Sequence, residues 1–337
     1  DTRRAGQVDM TRAVRSPGST LKPFIYGLAF EDGFVHPESL IDDRPVRYGS
    51  YAPENFDMTF QGTVTVRKAL QMSLNVPAVA LLDRIGSSRL TARIKQAGGN
   101  LILPKDETPG LAMGLGGVGV TLSDLVRLYA GFPRQGETVP LREIVRAGDK
   151  AEPETRRLLD PSAAWLVGNV LMGTPPPDNA PHNRLAFKTG TSYGYRDAWS
   201  VGFDGRMTIG VWVGRPDGAP VPGLTGRTAA APILFDAFAR TGKLPAPLAR
   251  APKGTLMASN AKLPLPLRRF RPAGDFVRTG SEQTLRIQFP LNGSRIDTSG
   301  SGESQAAMPV KVAGGVMPLT MMVNGIAVGT IDSRRQK

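Results

Sequence analysis

The sequence has no cysteine and only two histidines, His36 and His182, among its 337 residues. Without thiols the chain can form no disulfide, thiolate metal site or cysteine nucleophile, and this absence does not choose between the cytosol and an exported compartment. Two distant histidines argue against a histidine metal centre and against a Ser-His-Asp triad. Any serine nucleophile in this chain would therefore need lysine as its base.

Long apolar runs are also missing. No stretch of 18 or more apolar residues is present, so the sequence predicts no membrane-spanning helix. The chain has no signal peptide and opens at Asp1, from which we expect a fragment whose targeting segment lies upstream.

Acidic residues are outnumbered, with 29 Asp and Glu against 42 Lys and Arg and a formal charge of +13. The basic residues form no aromatic-interleaved motif, no finger pattern and no single basic helix face. We therefore expect a solvated basic surface rather than a nucleic-acid site.

Hydrophobic periodicity predicts helices first and strands second. The predicted helices cover residues 19–30, 64–71, 76–85, 88–97, 122–130, 163–172 and 228–240. Alternation predicts strands over 185–192, 197–203 and 207–214, with a hairpin turn at Asp204-Gly205. Helices, then antiparallel strands, then a closing helix predict an α+β fold with helices packed on an antiparallel sheet.

Composition divides the chain into a domain over 1–248, a linker over 249–272 and a module over 273–337. Residues 245–272 contain six prolines, six basic residues and no acidic residue, which favours extended backbone without a core. The tail predicts strands over 285–289, 309–313, 319–323 and 326–330, the last two paired across Asn324-Gly325. This is a small β-sandwich-like module, short for a complete sandwich, which leaves open whether it continues past Lys337.

Three motifs occur in a fixed order: Ser19-Thr20-Leu21-Lys22, Ser73-Leu74-Asn75 and Lys188-Thr189-Gly190. Each alone is weak. Residues 259–262 also match Ser-x-x-Lys, but they lie in the proline-rich segment without a following helix. The order of the three motifs, and their predicted helix, loop and strand contexts, make the set informative.

The set resembles the active-site motifs of penicillin-binding proteins and serine β-lactamases. Residues 16–24 and 188–199 are similar to the active-site segment and the Lys-Thr-Gly strand of bifunctional (class A) penicillin-binding proteins, and 228–233 resembles their closing helix. Residues 289–293 and 323–325 resemble the C-terminal domain of the 1C branch of this family. The resemblance implies a serine transpeptidase/β-lactamase-like fold for residues 1–248.

The resemblance also implies the catalytic roles. Ser19 would be the nucleophile and Lys22 its base, three residues further along the same helix face. A lysine base must be neutral, and Lys188 would supply the nearby positive charge that lowers the pKa of Lys22. Ser73 would pass a proton to the leaving amine.

Substrate binding would fall to the remaining motif residues. Asn75 would hold the substrate amide, and the hydroxyl groups of Thr189 and Thr191, on one strand face, would hold its carboxylate. Gly190 would let the substrate backbone approach. The N–H groups of Ser19 and Thr191 would bind the developing oxyanion.

The activity so implied is a peptidoglycan D,D-transpeptidase, which cross-links stem peptides ending in D-Ala-D-Ala and binds β-lactams covalently, with no cofactor or metal. Two other functions share the motifs: a D,D-carboxypeptidase or β-lactamase, and a non-catalytic penicillin-binding sensor. The complete motif set argues against the sensor. A class A β-lactamase would carry Glu-x-x-x-Asn, and no glutamate between the second and third motifs has asparagine four residues on. Those glutamates are Glu107, Glu137, Glu143, Glu152 and Glu154.

The family further implies a periplasmic location. The full-length protein would be anchored to the inner membrane by an upstream helix, beside an upstream glycosyltransferase domain. We expect the C-terminal module to bind a cell-wall or envelope protein partner.

Overall fold

The structure is a computed structural model that describes residues 6–104, 107–142, 144, 154–178, 180–272, 286–289, 310–313, 319–324 and 326–331. It divides into two compact units. The first comprises Asp1–Arg44 with Pro53–Gly274, and the second comprises Pro45–Ala52 with Asp275–Lys337. All three motifs belong to the first unit.

The first unit combines helices with antiparallel strands. Its helices are α1 (Lys22–Glu31), α2 (Val66–Gln71), α3 (Asn75–Ile85), α4 (Ser87–Gln96), α5 (Leu122–Tyr129), α6 (Pro161–Met172), α7 (Ala231–Arg240) and α8 (Leu265–Arg268). Its strands are β1 (Leu40–Asp43), β2 (Gly62–Thr65), β3 (Glu137–Thr138), β4 (Arg156–Arg157), β5 (Ala186–Thr191), β6 (Asp197–Phe203) and β7 (Thr208–Gly214). The predicted α+β class is confirmed.

A three-stranded antiparallel sheet, ordered β5-β6-β7, forms the middle of the first unit. Side chains on its two faces pack into two separate hydrophobic cores. Phe187 and its neighbours pack with Leu234 and Phe238 of α7, whereas Ala186 and Val201 join the main helical core around α1 and α6. Lys188 has the same phase as Ala186, so it lies on the face of the sheet that the main helical core covers.

Three predicted elements differ in the structure. Val64 and Thr65, predicted as helix, are β-branched residues that pair with β1, and helix α2 begins only at Val66. Ser19 lies on a 3₁₀ turn, Gly18–Leu21, ahead of α1. Asn75, predicted in a loop, is the first residue of α3.

The segment 249–272 also differs from the linker that its composition predicts, because it packs against the first unit as a strap. Leu263 and Phe270 are buried at 1% and 7% exposure. The Phe270 N–H donates to the Leu40 carbonyl, 2.8 Å away, and Trp165 Nε1 donates to the Ala249 carbonyl at 2.8 Å. Proline removes N–H donors from such a segment but leaves its carbonyls and apolar side chains free to pack.

In the second unit the described residues form two strand pairs. Strand β8 (Arg286–Phe289) pairs with β9 (Lys311–Ala313), and β10 (Leu319–Val323) pairs with β11 (Ile326–Ile331). The predicted hairpin is confirmed by the Val323–Ile326 pair. Leu285, Pro309 and Gly325, which complete the predicted strands and turn, lie outside the described residues.

Candidate active site

The first motif occupies the 3₁₀ turn Gly18–Leu21 and the first residue of α1. The Lys22 N–H donates to the Ser19 carbonyl, which closes this turn. Side chains three residues apart eclipse each other on a 3₁₀ turn, so Ser19 and Lys22 lie on one side of it. Ser19 is partly exposed, whereas Thr20 and Leu21 beside it are buried. The turn thus presents the serine hydroxyl and encloses its neighbours.

Glycine allows this serine turn to approach β5 closely. A Cβ added to Gly18, whose φ is +52°, would lie 2.9 Å from the Thr191 nitrogen, and one added to Gly190 would lie 2.8 Å from the Thr20 side chain. Real Cβ atoms do not come so near, so both positions require glycine. The room at Gly190 that we expected for substrate is, on its Cβ side, filled by the serine turn.

The outer edge of β5 faces the serine turn. The Ser192 N–H donates across the sheet to the Asp197 carbonyl at 2.9 Å. N–H groups alternate in direction along an antiparallel strand, so the neighbouring Thr191 N–H points to the outer edge. Since β5 is the last strand of its sheet, this N–H can donate to an oxygen held beside Ser19.

Lys22 joins the first motif to the second. Its side chain is fully buried, and Nζ donates to the Ser73 carbonyl at 2.6 Å and to Asn75 Oδ1 at 2.5 Å, with a longer contact of 3.4 Å to Ser73 Oγ. Among the described residues, Nζ makes no hydrogen bond to Ser19. Burial lowers the pKa of Lys22 well below its usual value, and the Lys188 charge lowers it further, whereas Asp43 raises it.

Lys188 joins the third motif to the second. It is 2% exposed, and its Nζ donates to Ser73 Oγ at 2.7 Å and to the Thr189 carbonyl at 2.8 Å. Burial lowers the pKa of Lys188 to about 7. The Ser73 hydroxyl therefore contacts two buried amines, and burial lowers the pKa of both.

Ser73 reaches this position through an unusual backbone conformation. Its φ is +60°, the left-handed region that serine rarely adopts. The Ser73 and Leu74 N–H groups donate back to the carbonyls of Leu70 and Ala69, which ends α2 in a tight turn. Strained residues of this kind cluster at functional sites, where the surrounding structure holds them.

The two threonines of the third motif differ in their contacts. Thr191 Oγ1 accepts a hydrogen bond of 3.0 Å from the Gly226 N–H, so this hydroxyl is tied to the π-helical turn Gly226–Ala230 before α7. Thr189 is partly exposed. Within the described residues its hydroxyl makes no hydrogen bond, which leaves it able to bind a carboxylate.

Two residues of the site escaped the sequence analysis, Asp43 and Asn55. Both are buried, at 0% and 4% exposure, and Asn55 Nδ2 lies 2.9 Å from each Asp43 carboxylate oxygen. Asn55 Oδ1 in turn accepts from the Asn75 N–H at 2.7 Å. The available signal was an acidic residue in phase with buried Ile41 on β1, a strand that the periodicity did not predict.

An exposed aromatic pair connects the segment after Asn55 with the β5–β6 loop. Phe56, which follows Asn55, packs edge-on against Tyr195 of the β5–β6 loop, with ring centroids 6.0 Å apart. Phe56 is 65% exposed. Large exposed aromatic side chains close to a site can provide apolar contact area for a ligand.

The second Ser-x-x-Lys match lies elsewhere. Ser259 and Lys262 are exposed, on the strap around the 3₁₀ turn Asn260–Lys262. This exposed position does not provide the burial that a lysine base requires. No cluster of three or more His, Cys, Asp or Glu side chains suited to a metal occurs among the described residues.

Comparison with protein families shows which family the chain belongs to. The family model of the penicillin-binding protein transpeptidase domain matches residues 3–215, which hold all three motifs. The chain belongs to this family. The penicillin-binding protein C-terminus family matches residues 275–337, so the predicted resemblance of the tail is confirmed as well.

Relatives and solved structures agree with this assignment. Penicillin-binding protein 1C of Escherichia coli K12 is 44% identical over 242 residues, which make up 69% of this chain and 30% of that protein. Penicillin-binding protein 1B of Vibrio cholerae is 32% identical over 243 residues, 65% of this chain and 30% of that protein. The chain thus spans about a third of the length of these relatives.

A solved structure shares the predicted transpeptidase fold. PonA1 of Mycobacterium tuberculosis, in complex with penicillin V, superposes with a TM-score of 0.62 at 21% identity, over 74% of each chain. Among the described residues of this penicillin-binding protein chain, no helix is long and apolar enough to cross a bilayer.

Proposed function

We propose that this chain is the acyl-transfer region of a peptidoglycan D,D-transpeptidase with Ser19 as its nucleophile. One observation carries the proposal. Two buried amines, Lys22 and Lys188, converge on Ser73 beside a partly exposed serine held at the edge of β5. This arrangement provides a base, a proton path and a nucleophile without histidine.

Acylation would begin when neutral Lys22 Nζ accepts the proton of Ser19 Oγ as this oxygen attacks the carbonyl of the penultimate D-alanine. The C–N bond to the terminal D-alanine then breaks. Its nitrogen receives a proton through Ser73 Oγ, which lies within hydrogen-bond distance of Lys188 and near Lys22. The products are a Ser19 ester and free D-alanine.

The oxyanion formed in this step would receive hydrogen bonds from the Ser19 and Thr191 N–H groups. The Thr191 N–H points to the outer edge of β5, where the serine turn packs. Preorganised donors of this kind stabilise the transition state more than the ground state. The Thr189 hydroxyl would bind the terminal carboxylate, and Asn75 the stem-peptide amide.

Transfer would follow when an amine from a second stem peptide attacks the Ser19 ester and displaces Ser19 Oγ, which regains its proton. The same site with water in place of the amine gives a D,D-carboxypeptidase, the second candidate. We favour the transpeptidase because the family relation covers both this region and the C-terminal module.

We further propose that the full-length protein is periplasmic and anchored to the membrane, and that the C-terminal module binds an envelope partner.

Labelled penicillin tests the nucleophile. Intact-mass analysis should show one adduct, mapped to Ser19, which is absent in Ser19→Ala and retained in Ser259→Ala. An adduct that survives Ser19→Ala would contradict the assignment.

To separate the two candidates, the chain is given a D-Ala-D-Ala stem peptide with and without an amine acceptor. Cross-linked product supports the transpeptidase, and trimmed peptide in both mixtures supports the carboxypeptidase.

A further inference from the structure

A buried acidic residue next to the two lysines has no part in the mechanism described so far. Asp43 ends β1 and is fully buried. Its carboxylate accepts hydrogen bonds from Asn55 Nδ2 and, at 2.7 Å, from the Gln61 N–H. Burying a carboxylate carries a large desolvation cost, and among the described residues Asp43 forms no ion pair. A carboxylate that is buried despite this desolvation cost, next to the proposed reaction centre, is a candidate for a functional role.

Hydrogen bonds connect this carboxylate to the general base. Asp43 fixes the Asn55 amide, and Asn55 Oδ1 accepts from the Asn75 N–H. That N–H, at the first turn of α3, has no partner within its own helix. The Asn75 side chain donates to the Glu54 carbonyl at 2.6 Å and accepts from Lys22 Nζ. Asp43, Asn55, Asn75 and Lys22 therefore form one chain of contacts.

The positive charges of two neighbouring buried lysines also require a nearby negative group. Lys22 and Lys188 are both buried and close to the same hydroxyl. The ionisable groups that act on one another here are Lys22 and Tyr26 of α1, Lys188 of β5 and Asp43 of β1. Asp43 is the carboxylic acid of this group, and it raises the pKa of Lys22 against the effects of burial and of Lys188.

We propose that Asp43 and Asn55 are positioning residues of this active site: they hold Asn75 against Lys22, and the Asp43 charge balances the two buried lysines. The proposal rests on the proposed function, since it concerns the base of the acylation step. Lys22 must release a proton and take one up within each cycle, so its affinity for protons must not become too low. Burial and Lys188 reduce that affinity, and Asp43 restores part of it.

The pH dependence of acylation separates this role from a purely structural one. The second-order rate constant for acylation by a fluorescent penicillin is measured from about pH 5 to about pH 10, a range that spans lysine titration in such sites. Asp43→Asn removes the charge and keeps the shape. Loss of the negative charge lowers the pKa of Lys22, so the acidic limb of the profile should move to lower pH. Asn55→Ala keeps the charge and should lower the plateau rate by about 10- to 100-fold through misplacement of Asn75 and Lys22.

Asp42→Asn is the matched control. Asp42 is the preceding residue of β1, lies on the opposite face of the strand, and pairs with Arg269 at 2.7 Å on the surface. Its profile should coincide with that of the wild-type chain. If the acidic limb of the pH–rate profile has the same midpoint in Asp43→Asn and Asp42→Asn, the proposed role of the Asp43 charge is wrong. If Asp43→Asn does not fold, the Asn55→Ala variant is used instead, and a plateau rate equal to that of the wild-type chain overturns the proposal. A wild-type chain that is never acylated overturns the proposed function, and this inference with it.

Discussion

Lys188 Nζ lies 2.7 Å from the Ser73 hydroxyl, and Lys22 Nζ lies 3.4 Å from the same hydroxyl. A hydroxyl can accept from one amine and donate to another, so this geometry suits a site with one charged and one neutral lysine. Two adjacent ammonium ions would repel each other in such a buried position. The protonation of this pair should therefore control both stability and activity.

Stability should rise with pH above neutrality because of Lys188. Burial lowers the pKa of Lys188 to about 7 in the folded chain, while the unfolded chain keeps the usual lysine value. Between these two values the unfolded state binds more protons, so the free energy of unfolding increases with pH, by up to about 1.4 kcal/mol per pH unit. Urea unfolding at a series of pH values should show this slope in the wild-type chain and a smaller slope in Lys188→Met.

The exposed Lys262 provides the control for that experiment. Lys262→Met should keep the wild-type slope, because this side chain stays exposed to solvent in the folded chain. Equal slopes in wild-type and Lys188→Met chains would show that Lys188 is not neutralised by burial.

Lys22→Arg should slow acylation by at least about 10²-fold, the lower end of what loss of a general base costs. Arginine keeps the positive charge but does not deprotonate near neutral pH. Stopped-flow or gel measurement of penicillin adduct formation checks this, with unfolding curves to confirm that the variant is folded. An acylation rate close to that of the wild-type chain would mean that another group takes the Ser19 proton.

Ser73 should carry backbone strain that a glycine would relieve. Its left-handed φ of +60° costs a non-glycine residue roughly 1–2 kcal/mol, whereas glycine adopts this region freely. Ser73→Gly and Ser73→Ala both lose the hydroxyl and should both lose acylation. Ser73→Gly should nevertheless be more stable than Ser73→Ala, by about 1 kcal/mol, in urea unfolding. Equal stability of the two variants would show that the conformation is not strained.

The sequence allows the sheet and the three motifs to be predicted, and the reasons are local. Strands β5, β6 and β7 follow from alternation and a turn signal, and the order of the motifs carries the resemblance to the family. The φ of Ser73 could not be predicted, because it depends on the tight turn that packing imposes after α2. Nor could the burial of Asp43, since short polar strands such as β1 lack a periodic signal.

The strap is the clearest example of tertiary structure overriding composition. Four prolines and six basic residues in 249–272 predict an extended linker, whereas the segment contains the 3₁₀ turn Asn260–Lys262 and helix α8. Its fixed position depends on distant partners, however. Asn260 Nδ2 donates to the Glu38 carbonyl at 2.9 Å, and Phe270 enters the core beside β1. Contacts between residues over 200 positions apart leave no trace in local periodicity.

This packing gives a prediction about the domain boundary. A chain shortened to end at Gly274 should fold and be acylated by penicillin, because it keeps the strap. A chain that ends at Leu248 should be less stable by several kcal/mol, since the loss of one buried Phe side chain alone costs about 3–5 kcal/mol. Thermal unfolding of the two shortened chains checks the difference. Equal stabilities would restore the boundary at Leu248 that composition suggests.

The penicilloyl adduct should be long-lived. Hydrolysis of the Ser19 ester requires an activated water, and the chain lacks the Glu-x-x-x-Asn element expected of a class A β-lactamase. Lys22 and Lys188 both donate hydrogen bonds to Ser73, and we expect neither to activate a water as that glutamate would. An amine acceptor needs less activation, because it is the better nucleophile and its binding supplies proximity worth several kcal/mol. After free drug is removed, intact-mass analysis should therefore show the adduct persisting for many minutes to hours. Its loss within seconds, with continued consumption of the antibiotic, would instead identify a β-lactamase.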